Sequence, residues 1–177
     1  MTTKGIVMLD RDGTLNVRIR DGYLLKSDEI ERAKDLDCLI RLEDLGFQLC
    51  VVTNQACVSK NLIDIFTVKR LTQEVLYPVT RISESQLFVC CHQEFENCLC
   101  RKPKPKLLQD CLTHNQADSI SSFFIGDSPS DMEAAKRAGV RFLGVCWDGE
   151  CMGPACSHTL SGAVEMIIAL LGMEEGR

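Results

Sequence analysis

The pentapeptide DRDGT at positions 10–14 places two carboxylates, Asp10 and Asp12, two residues apart directly after an apolar run, Gly5–Leu9. Such a run is typical of a buried strand, and the carboxyl ends of the strands form the edge where ligands bind in open α/β sheets. Two carboxylates this close repel each other unless a cation or a shared proton compensates. The pair therefore predicts a metal site or acid–base chemistry, although Asp-x-Asp alone also occurs in turns and in calcium loops.

Three further polar segments extend this chemistry. They are Thr53-Asn54-Gln55, which ends a second apolar run, Arg101-Lys102-Pro103, and GDSPSD at positions 126–131, which follows another apolar run. The last segment adds two carboxylates, Asp127 and Asp131. Oxygen-only ligands suit Mg²⁺. We therefore expect a metal site or acid–base chemistry at one edge of a sheet, beside basic residues that would attract an anionic substrate.

The size and charge of the chain restrict its class. It has 177 residues, a net charge of -5 and a pI near 5.2. This length suits one domain, which we expect to span residues 1–177. The acidic balance argues against a nucleic-acid partner, because such proteins usually present a basic face. No apolar run reaches the roughly 20 residues of a membrane span, and none resembles a signal peptide. We expect a cytoplasmic monomer without a membrane partner, and the basic residues near Lys102 would attract a small anionic substrate.

Apolar runs alternate along the chain with segments of helical periodicity. Strands are predicted at Gly5–Leu9, Phe47–Thr53, Gln86–Cys91, Ser122–Gly126 and Val140–Cys146. Helices are predicted at Lys34–Leu45, Leu62–Thr80, Lys106–His114, Pro129–Ala138 and Ser161–Leu171. This alternation implies βαβ crossovers, and hence an α/β fold with a doubly wound parallel sheet of five strands. Residues 17–34 are predicted to be a loop, and no stretch is long enough for a large cap domain.

A group of soft ligands precedes Arg101 and Lys102. Its members are Cys90, His92, Cys98 and Cys100. Three thiolates and one imidazole would make a closed tetrahedral zinc site of the structural type. In a chain with 11 cysteines, chance is the alternative explanation, and Cys91 could compete as a ligand. Zinc would fasten a loop at about residues 90–100 and so hold the two cations over the carboxylates. A second metal site at Cys151, Cys156 and His158 is disfavoured by irregular spacing.

Taken in order, the four polar segments resemble the four motifs of the haloacid-dehalogenase-like phosphatases, over nearly the whole chain. The resemblance implies a Rossmann-like core in which Asp10 is the nucleophile and forms an aspartyl-phosphate, while Asp12 is the general acid and base. It also implies that Thr53 and Lys102 stabilise the transferred phosphoryl group. Mg²⁺ would be held by the side chain of Asp10, the backbone carbonyl of Asp12 and Asp127. Asp131 would orient the site without binding the metal.

The arrangement of cysteines and histidine before Arg101-Lys102-Pro103 is similar to the zinc-loop branch of this family, whose members act on heptose bisphosphates or on histidinol phosphate. The DRDGT motif followed by Asp21-Gly22-Tyr23 favours the 7-phosphate of D-glycero-D-manno-heptose 1,7-bisphosphate. The five-residue spacer between His92 and Cys98, together with Lys106, favours histidinol phosphate. The substrate-binding residues that this resemblance implies are Arg20, Asp21, Gly22, Tyr23, Asn54, Gln55, Arg101 and Ser128.

Two alternatives from other functional classes share part of the pattern. A phosphoaspartate signalling module also combines a parallel sheet, acidic residues, Mg²⁺ and a lysine, but its phosphorylated aspartate follows the third strand and not the first. A zinc-stapled binding module with an inactive phosphatase site would carry the same cysteines. Both are less favoured because every motif residue of the enzyme is present.

Overall fold

The computed structural model describes residues 5–20, 22–80, 82–146 and 155–175. In this part of the chain, six parallel strands form one sheet in the order β3-β2-β1-β4-β5-β6. The strands are β1 Gly5–Leu9, β2 Phe47–Asn54, β3 Leu87–Cys90, β4 Phe123–Gly126, β5 Arg141–Val145 and β6 Cys156–Ser157. The doubly wound parallel sheet is confirmed. The predicted number of five strands is one too low, because a strand of two residues is too short to produce a sequence pattern.

Five α-helices accompany the sheet among the described residues. They are α1 Leu39–Asp44, α2 Ile65–Leu76, α3 Lys106–His114, α4 Pro129–Ala138 and α5 Leu160–Glu175. Two predicted helices were too long. The predicted helix Lys34–Leu45 is a 3₁₀ turn at Leu36–Cys38 followed by α1. The predicted helix Leu62–Thr80 starts only after Asp64, whose side chain caps α2, and it stops before Tyr77, whose backbone is extended ahead of Pro78.

The helices cover both faces of the sheet. On β1, Val7 and Leu9 point into a core shared with α1, α2 and α5, whereas Ile6 and Met8 point into a second core shared with α3 and α4. All five residues of β1 are buried, as expected for a central parallel strand covered on both sides. Burying each large apolar side chain contributes about 1.5–3 kcal/mol. The central strand is therefore a rigid support for the residues that follow it.

Topology brings the acidic motifs together. The strand order reverses between β1 and β4, which makes that boundary the switch point where ligands bind in such sheets. Leu9 is in register with Val51 of β2 and Ile125 of β4, and the Asp10 N–H donates to the Ile125 carbonyl at 2.9 Å. The carboxyl ends of β1, β2 and β4 therefore lie at the same edge of the sheet, where β2 extends three residues beyond the level of Leu9.

The connection from β1 to α1 crosses this edge. Within its described residues it contains only short 3₁₀ turns, at Ser27–Glu29 and Leu36–Cys38, and isolated bridges that join Asn16 to Asp12 and to Arg32. No helix in the described ranges is both long and apolar enough to cross a membrane.

Candidate active site

One ammonium group lies between two buried carboxylates at the edge of the sheet. Lys102 Nζ is 2.8 Å from Asp10 Oδ1 and 2.6 Å from Asp131 Oδ1, and it also donates to the carbonyl of Val52 at 2.9 Å. Asp10, Lys102 and Asp131 are 5%, 3% and 0% exposed. Buried charges persist only when they are paired and hydrogen-bonded. Lys102 therefore allows two like charges to share this site.

Asn54 holds Lys102 in place from the end of β2. Its side-chain amide accepts from the Lys102 N–H at 3.1 Å and donates to the Lys102 carbonyl at 3.1 Å. This double contact fixes the backbone of Lys102 from a rigid strand. Asn54, predicted to bind substrate, also positions the cation.

The electrostatics of this group follow from its burial. Burial, followed by the charge of Asp131, raises the pKa of Asp10 to about 7, and the opposing effect of Lys102 is smaller than these two together. Burial acts to lower the pKa of Lys102, but the carboxylates of Asp10 and Asp131 raise it above its ordinary value. Lys102 is therefore a permanent cation beside an aspartate that needs further positive charge to remain ionised.

The start of α4 holds Asp131. Ser128 caps the helix: its Oγ donates to Asp131 Oδ2 at 2.6 Å, and its N–H donates to the same oxygen at 3.1 Å. Pro129 at the first helical position suits this entry. A Cβ on Gly126 would lie 2.7 Å from the Asp131 Cβ, so only glycine permits β4 to pass this close to the helix.

Asp127 approaches the turn that follows β1. A Cβ on Gly13 would lie 1.8 Å from Asp127 Oδ2, and Gly13 has a φ of +93°, so both space and backbone require glycine there. Carboxylate oxygens of Asp10, Asp127 and Asp131 all lie within 4.8 Å of one another. Burial raises the pKa of Asp127, although the guanidinium of Arg18 acts to lower it. Such a set of oxygens fits a hard divalent cation such as Mg²⁺.

Arg18 binds the same acidic group from the loop after β1. Its Nη2 donates to the Asp12 carbonyl at 2.9 Å and to Asp127 Oδ1 and Oδ2 at 2.8 and 2.9 Å, and its Nε donates to Asp127 Oδ2 at 3.2 Å. The Asp12 carbonyl and the Asp127 carboxylate thus converge on one cation. This convergence is a second sign that the residues fit a metal ion.

Asp12 turns its carboxylate towards a buried network. Arg11 donates to it through Nε at 3.1 Å and Nη2 at 2.8 Å, Gln55 Nε2 donates at 2.7 Å, and Asn16 Nδ2 donates at 3.1 Å. Arg11 has no exposed surface. Burial acts to raise the pKa of Asp12, but the charge of Arg11 and these hydrogen bonds bring it below its ordinary value. Asp12 is therefore ionised in this arrangement.

Asp10, Asp12, Arg18, Lys102 and Asp131 line a cavity of about 440 Å³, whereas Asp127 is not part of its wall. Its walls include the following residues predicted for the site: Asp10, Asp12, Gly22, Tyr23, Thr53, Asn54, Arg101, Lys102 and Ser128. They also include Arg18 and Lys60, and Lys60 Nζ lies 5.1 Å from the centre of the Tyr23 ring. A larger cavity of about 630 Å³ lies beside α2 and contains none of these residues.

The four predicted zinc ligands meet at the end of β3. Cys90 Sγ lies 3.7 Å from Cys98 Sγ and 3.3 Å from Cys100 Sγ, while His92 Nδ1 lies 3.7 and 3.4 Å from the sulfurs of Cys90 and Cys100. Zn–S bonds of about 2.3 Å in a tetrahedron separate sulfurs by about 3.8 Å, so this group fits zinc. The cluster does not include Cys91.

The loop that carries the four predicted zinc ligands continues directly into the candidate active site. Arg101 Nη1 donates to the His92 carbonyl at 3.1 Å, and Lys104 Nζ donates to the carbonyls of Asn97 and Cys98 at 2.8 and 2.7 Å. Hydrogen bonds within the loop therefore hold the residues on both sides of Lys102.

Comparison with known proteins identifies the family. Residues 25–145 match the family model described as haloacid dehalogenase-like hydrolase. The chain belongs to the haloacid dehalogenase-like hydrolases.

Two relatives and one solved structure of this family illustrate the similarity. The chain is 34% identical over 145 residues to the D-glycero-beta-D-manno-heptose-1,7-bisphosphate 7-phosphatase of Helicobacter pylori, covering 80% of this chain and 83% of that one. It is also 34% identical to the histidine biosynthesis bifunctional protein HisB of Campylobacter jejuni, covering 78% of this chain and 40% of that one. The D,D-heptose 1,7-bisphosphate phosphatase of B. bronchiseptica, complexed with magnesium and phosphate, superposes with a TM-score of 0.81 at 23% identity, covering 94% and 99% of the two chains.

Several predicted substrate residues of this haloacid dehalogenase-like hydrolase occupy other places. Gln55 is fully buried, and its amide is engaged by Thr53, Asp12 and Arg11, so it orients the network and does not line the cavity. Arg20 is exposed and is absent from the cavity wall. Asp21 lies outside the described residues.

Sequence reasoning missed Arg18, Lys60 and Ser130, all of which line the cavity. No motif marks Arg18 and Lys60, because they lie in irregular connections whose course depends on tertiary contacts. Ser130 lies within the GDSPSD segment, but it was given no role. The disfavoured second metal site at Cys151, Cys156 and His158 is only partly described, since Cys151 lies outside the described residues. His158 Nδ1 lies 3.0 Å from the carbonyl oxygen of Cys146.

Proposed function

We propose that this chain is a Mg²⁺-dependent phosphomonoester hydrolase that acts through an aspartyl-phosphate on Asp10. The observation that carries the proposal is the contact of Lys102 Nζ with Asp10 at 2.8 Å in the wall of the active-site cavity. Carboxylate oxygens of Asp10, Asp127 and Asp131 lie within 4.8 Å of one another there and could hold a divalent cation.

In the first step, a carboxylate oxygen of Asp10 attacks phosphorus, a new P–O bond forms, and the bond from phosphorus to the leaving oxygen breaks. Lys102 and the Thr53 hydroxyl stabilise the phosphoryl oxygens as charge moves to the leaving group. The side chains of Asp10 and Asp127 and the Asp12 carbonyl would hold Mg²⁺, which supplies further positive charge at those oxygens when it is bound. Asp131 holds Lys102 in place.

Asp12 is the general acid and base of the proposed reaction. For the first step Asp12 must be protonated, so its carboxylate must turn from Arg11, Gln55 and Asn16 and take up a proton from solvent. It gives this proton to the leaving alkoxide and, as the resulting carboxylate, takes a proton from the water that attacks the aspartyl-phosphate in the second step. The second task requires a carboxylate, and the contacts with Arg11, Gln55 and Asn16 favour that form. Gln55 therefore acts through Asp12 and not on the substrate.

For the substrate, we propose D-glycero-D-manno-heptose 1,7-bisphosphate, cleaved at its 7-phosphate. The names of the Helicobacter pylori relative and the B. bronchiseptica structure support this choice. The cavity wall supports it independently, because Arg18, Lys60 and Arg101 supply positive charge in addition to Lys102. A second phosphate would complement that charge, while the ammonium group of histidinol phosphate would not.

Histidinol phosphate is the second candidate, supported by the Campylobacter jejuni relative and by the zinc-ligand spacing. The test compares kcat/KM for the heptose bisphosphate, histidinol phosphate and an aryl phosphate in the presence of Mg²⁺. We expect turnover of all three, with the heptose bisphosphate fastest and its 7-phosphate released. A higher kcat/KM for histidinol phosphate would reverse the substrate assignment and leave the chemistry intact. Absence of turnover on every substrate would favour the signalling or binding modules.

A further inference from the structure

Arg18 forms a fork of hydrogen bonds over the oxygens that would bind the metal. Its Nη2 contacts the Asp12 carbonyl and both carboxylate oxygens of Asp127, at 2.8–2.9 Å. These are two of the three groups assigned to Mg²⁺ above. A lone pair that accepts from a guanidinium cannot at the same time coordinate a metal ion.

The backbone around Arg18 is anchored, whereas its side chain is not enclosed. The N–H of Val17 donates to the Glu31 carbonyl at 2.8 Å, and Ile19 packs against the main core. The Arg18 side chain is 53% exposed. Rotation of this side chain, without movement of the loop, is therefore sufficient to uncover Asp127 and the Asp12 carbonyl.

The released side chain would stay within the same cavity. Arg18 already lines the wall that includes Tyr23, Lys60 and Arg101. A guanidinium that turns away from Asp127 would face this positively charged wall, where a second phosphate of the substrate would be its natural partner.

We propose that Arg18 is a built-in competitor of the catalytic metal: it neutralises the acidic group in the metal-free protein and must turn away before Mg²⁺ binds. The inference rests on the proposed function in taking Mg²⁺ as the cation. Arg18 is thus a positioning residue that lowers the affinity for free Mg²⁺, and the substrate's second phosphate would favour its turned-away state. By linkage, substrate and metal then strengthen each other's binding.

The effect of the Arg18 charge on Mg²⁺ binding must be separated from the effect of its hydrogen bonds, because removing any nearby cation strengthens Mg²⁺ binding to some degree. Arg18→Lys keeps the charge but lacks the planar fork. Arg20→Ala removes the same charge from an exposed position two residues along the same loop. The two variants therefore distinguish the effect of the hydrogen bonds to Asp127 and Asp12 from the effect of positive charge in the loop.

The experiment is calorimetric titration of the zinc-loaded protein with Mg²⁺ alone, in buffer free of magnesium and of chelators. We expect Arg18→Ala to lower the Kd for Mg²⁺ by about tenfold, the effect of removing one charge-assisted hydrogen bond that competes with the metal. Arg18→Lys should fall between it and the wild type, and Arg20→Ala should stay within about twofold of the wild type. Without Mg²⁺, Arg18→Ala should melt below the wild type, and saturating Mg²⁺ should close that gap.

The outcomes distinguish this inference from the proposed function. If the wild type and Arg18→Ala bind Mg²⁺ with equal Kd, Arg18 does not compete and the inference is wrong, while the proposed function stands. If Arg20→Ala tightens binding as much as Arg18→Ala, net charge and not contact is responsible, and the inference is again overturned. If neither protein binds Mg²⁺, both the inference and the metal assignment fail.

Discussion

Lys102 and Asp10 are joined by a contact of 2.8 Å that connects two structural units of the protein. Asp10 directly follows the central strand β1, whereas Lys102 lies two residues after the last zinc-ligand position, Cys100. The position of the cation at the reacting oxygen thus depends on a loop outside the sheet. Zinc bound at the cysteine and histidine cluster would therefore fix the residue that serves the proposed magnesium site.

Replacing Lys102 by methionine should depress kcat for every substrate, since the phosphoryl group loses its fixed cation. It should also lower the free energy of unfolding by about 3–5 kcal/mol in metal-free buffer, because Asp10 and Asp131 are left buried without their counter-charge. Chemical denaturation and steady-state kinetics measure both effects. Lys106→Met is the matched control, since the ion pair that exposed Lys106 makes with Asp110 on α3 is worth at most about 1 kcal/mol. An unchanged kcat in Lys102→Met would refute the role given to Lys102.

Arg101 should matter for the distal part of the substrate. We expect Arg101→Ala to reduce kcat/KM for the heptose bisphosphate by about 10–150-fold, the effect of losing a charged hydrogen bond. The loss for a small aryl phosphate should be much smaller. The aryl phosphate is the internal control, because Arg101 also bonds to the His92 carbonyl and a damaged loop would slow both substrates. Equal losses on both substrates would contradict recognition of a second phosphate.

Zinc should be a structural component of the loop. Cys98→Ser should reduce the zinc content, lower the melting temperature and reduce kcat through the displacement of Lys102. Cys91→Ser is the neighbouring control, since Cys91 lies outside the ligand cluster and should keep its zinc. Elemental analysis and thermal denaturation provide the readouts. Wild-type protein purified without chelators and found free of zinc would remove the basis of this prediction.

Titration of Asp10 should make the free energy of unfolding depend on pH. Its pKa in the metal-free protein is raised from 3.8 to about 7, so the folded state holds the proton over a range where the unfolded state has lost it. Wild-type stability should therefore fall, relative to Asp10→Asn, as the pH rises from about 4 to 7, and the difference should level off above pH 7. Denaturation of both proteins in Mg²⁺-free buffer measures this difference. A difference that stays constant with pH would show that the environment of Asp10 is not as described.

The sequence predicted the parts of the site that follow strands and missed those that depend on tertiary contacts. Asp10, Thr53 and Asp127 directly follow or end apolar runs, and parallel strands necessarily bring such residues to one edge. Arg18 and Lys60 lie in connections without periodicity, so their approach to the cavity could not be inferred. Burial of Gln55 is equally invisible in the sequence, because an amide suits both a substrate contact and an internal network.

The fold, like the site, was predicted from the sequence only in part. Strands β1 to β5 were predicted because each contains a run of apolar residues, while β6 has only two residues. Helix α2 ends before Tyr77 because Pro78 follows. The prediction extended the helix to Thr80 because it relied on periodicity and ignored this proline. Arg11 was treated only as part of the motif, yet it holds Asp12 through two hydrogen bonds.

The most direct test of the account is to trap the covalent intermediate. Wild-type protein mixed with substrate and Mg²⁺ is quenched in acid, reduced with borohydride so that an aspartyl-phosphate becomes homoserine, and digested with trypsin. Cleavage after Lys4 and Arg11 releases Gly5–Arg11, in which Asp10 is the only carboxylate side chain. We predict homoserine at position 10 in this peptide, and none in Asp10→Asn, which should be folded but inactive. Turnover of the substrate with Asp10 unmodified, or with the phosphoryl group on another residue, would contradict the mechanism.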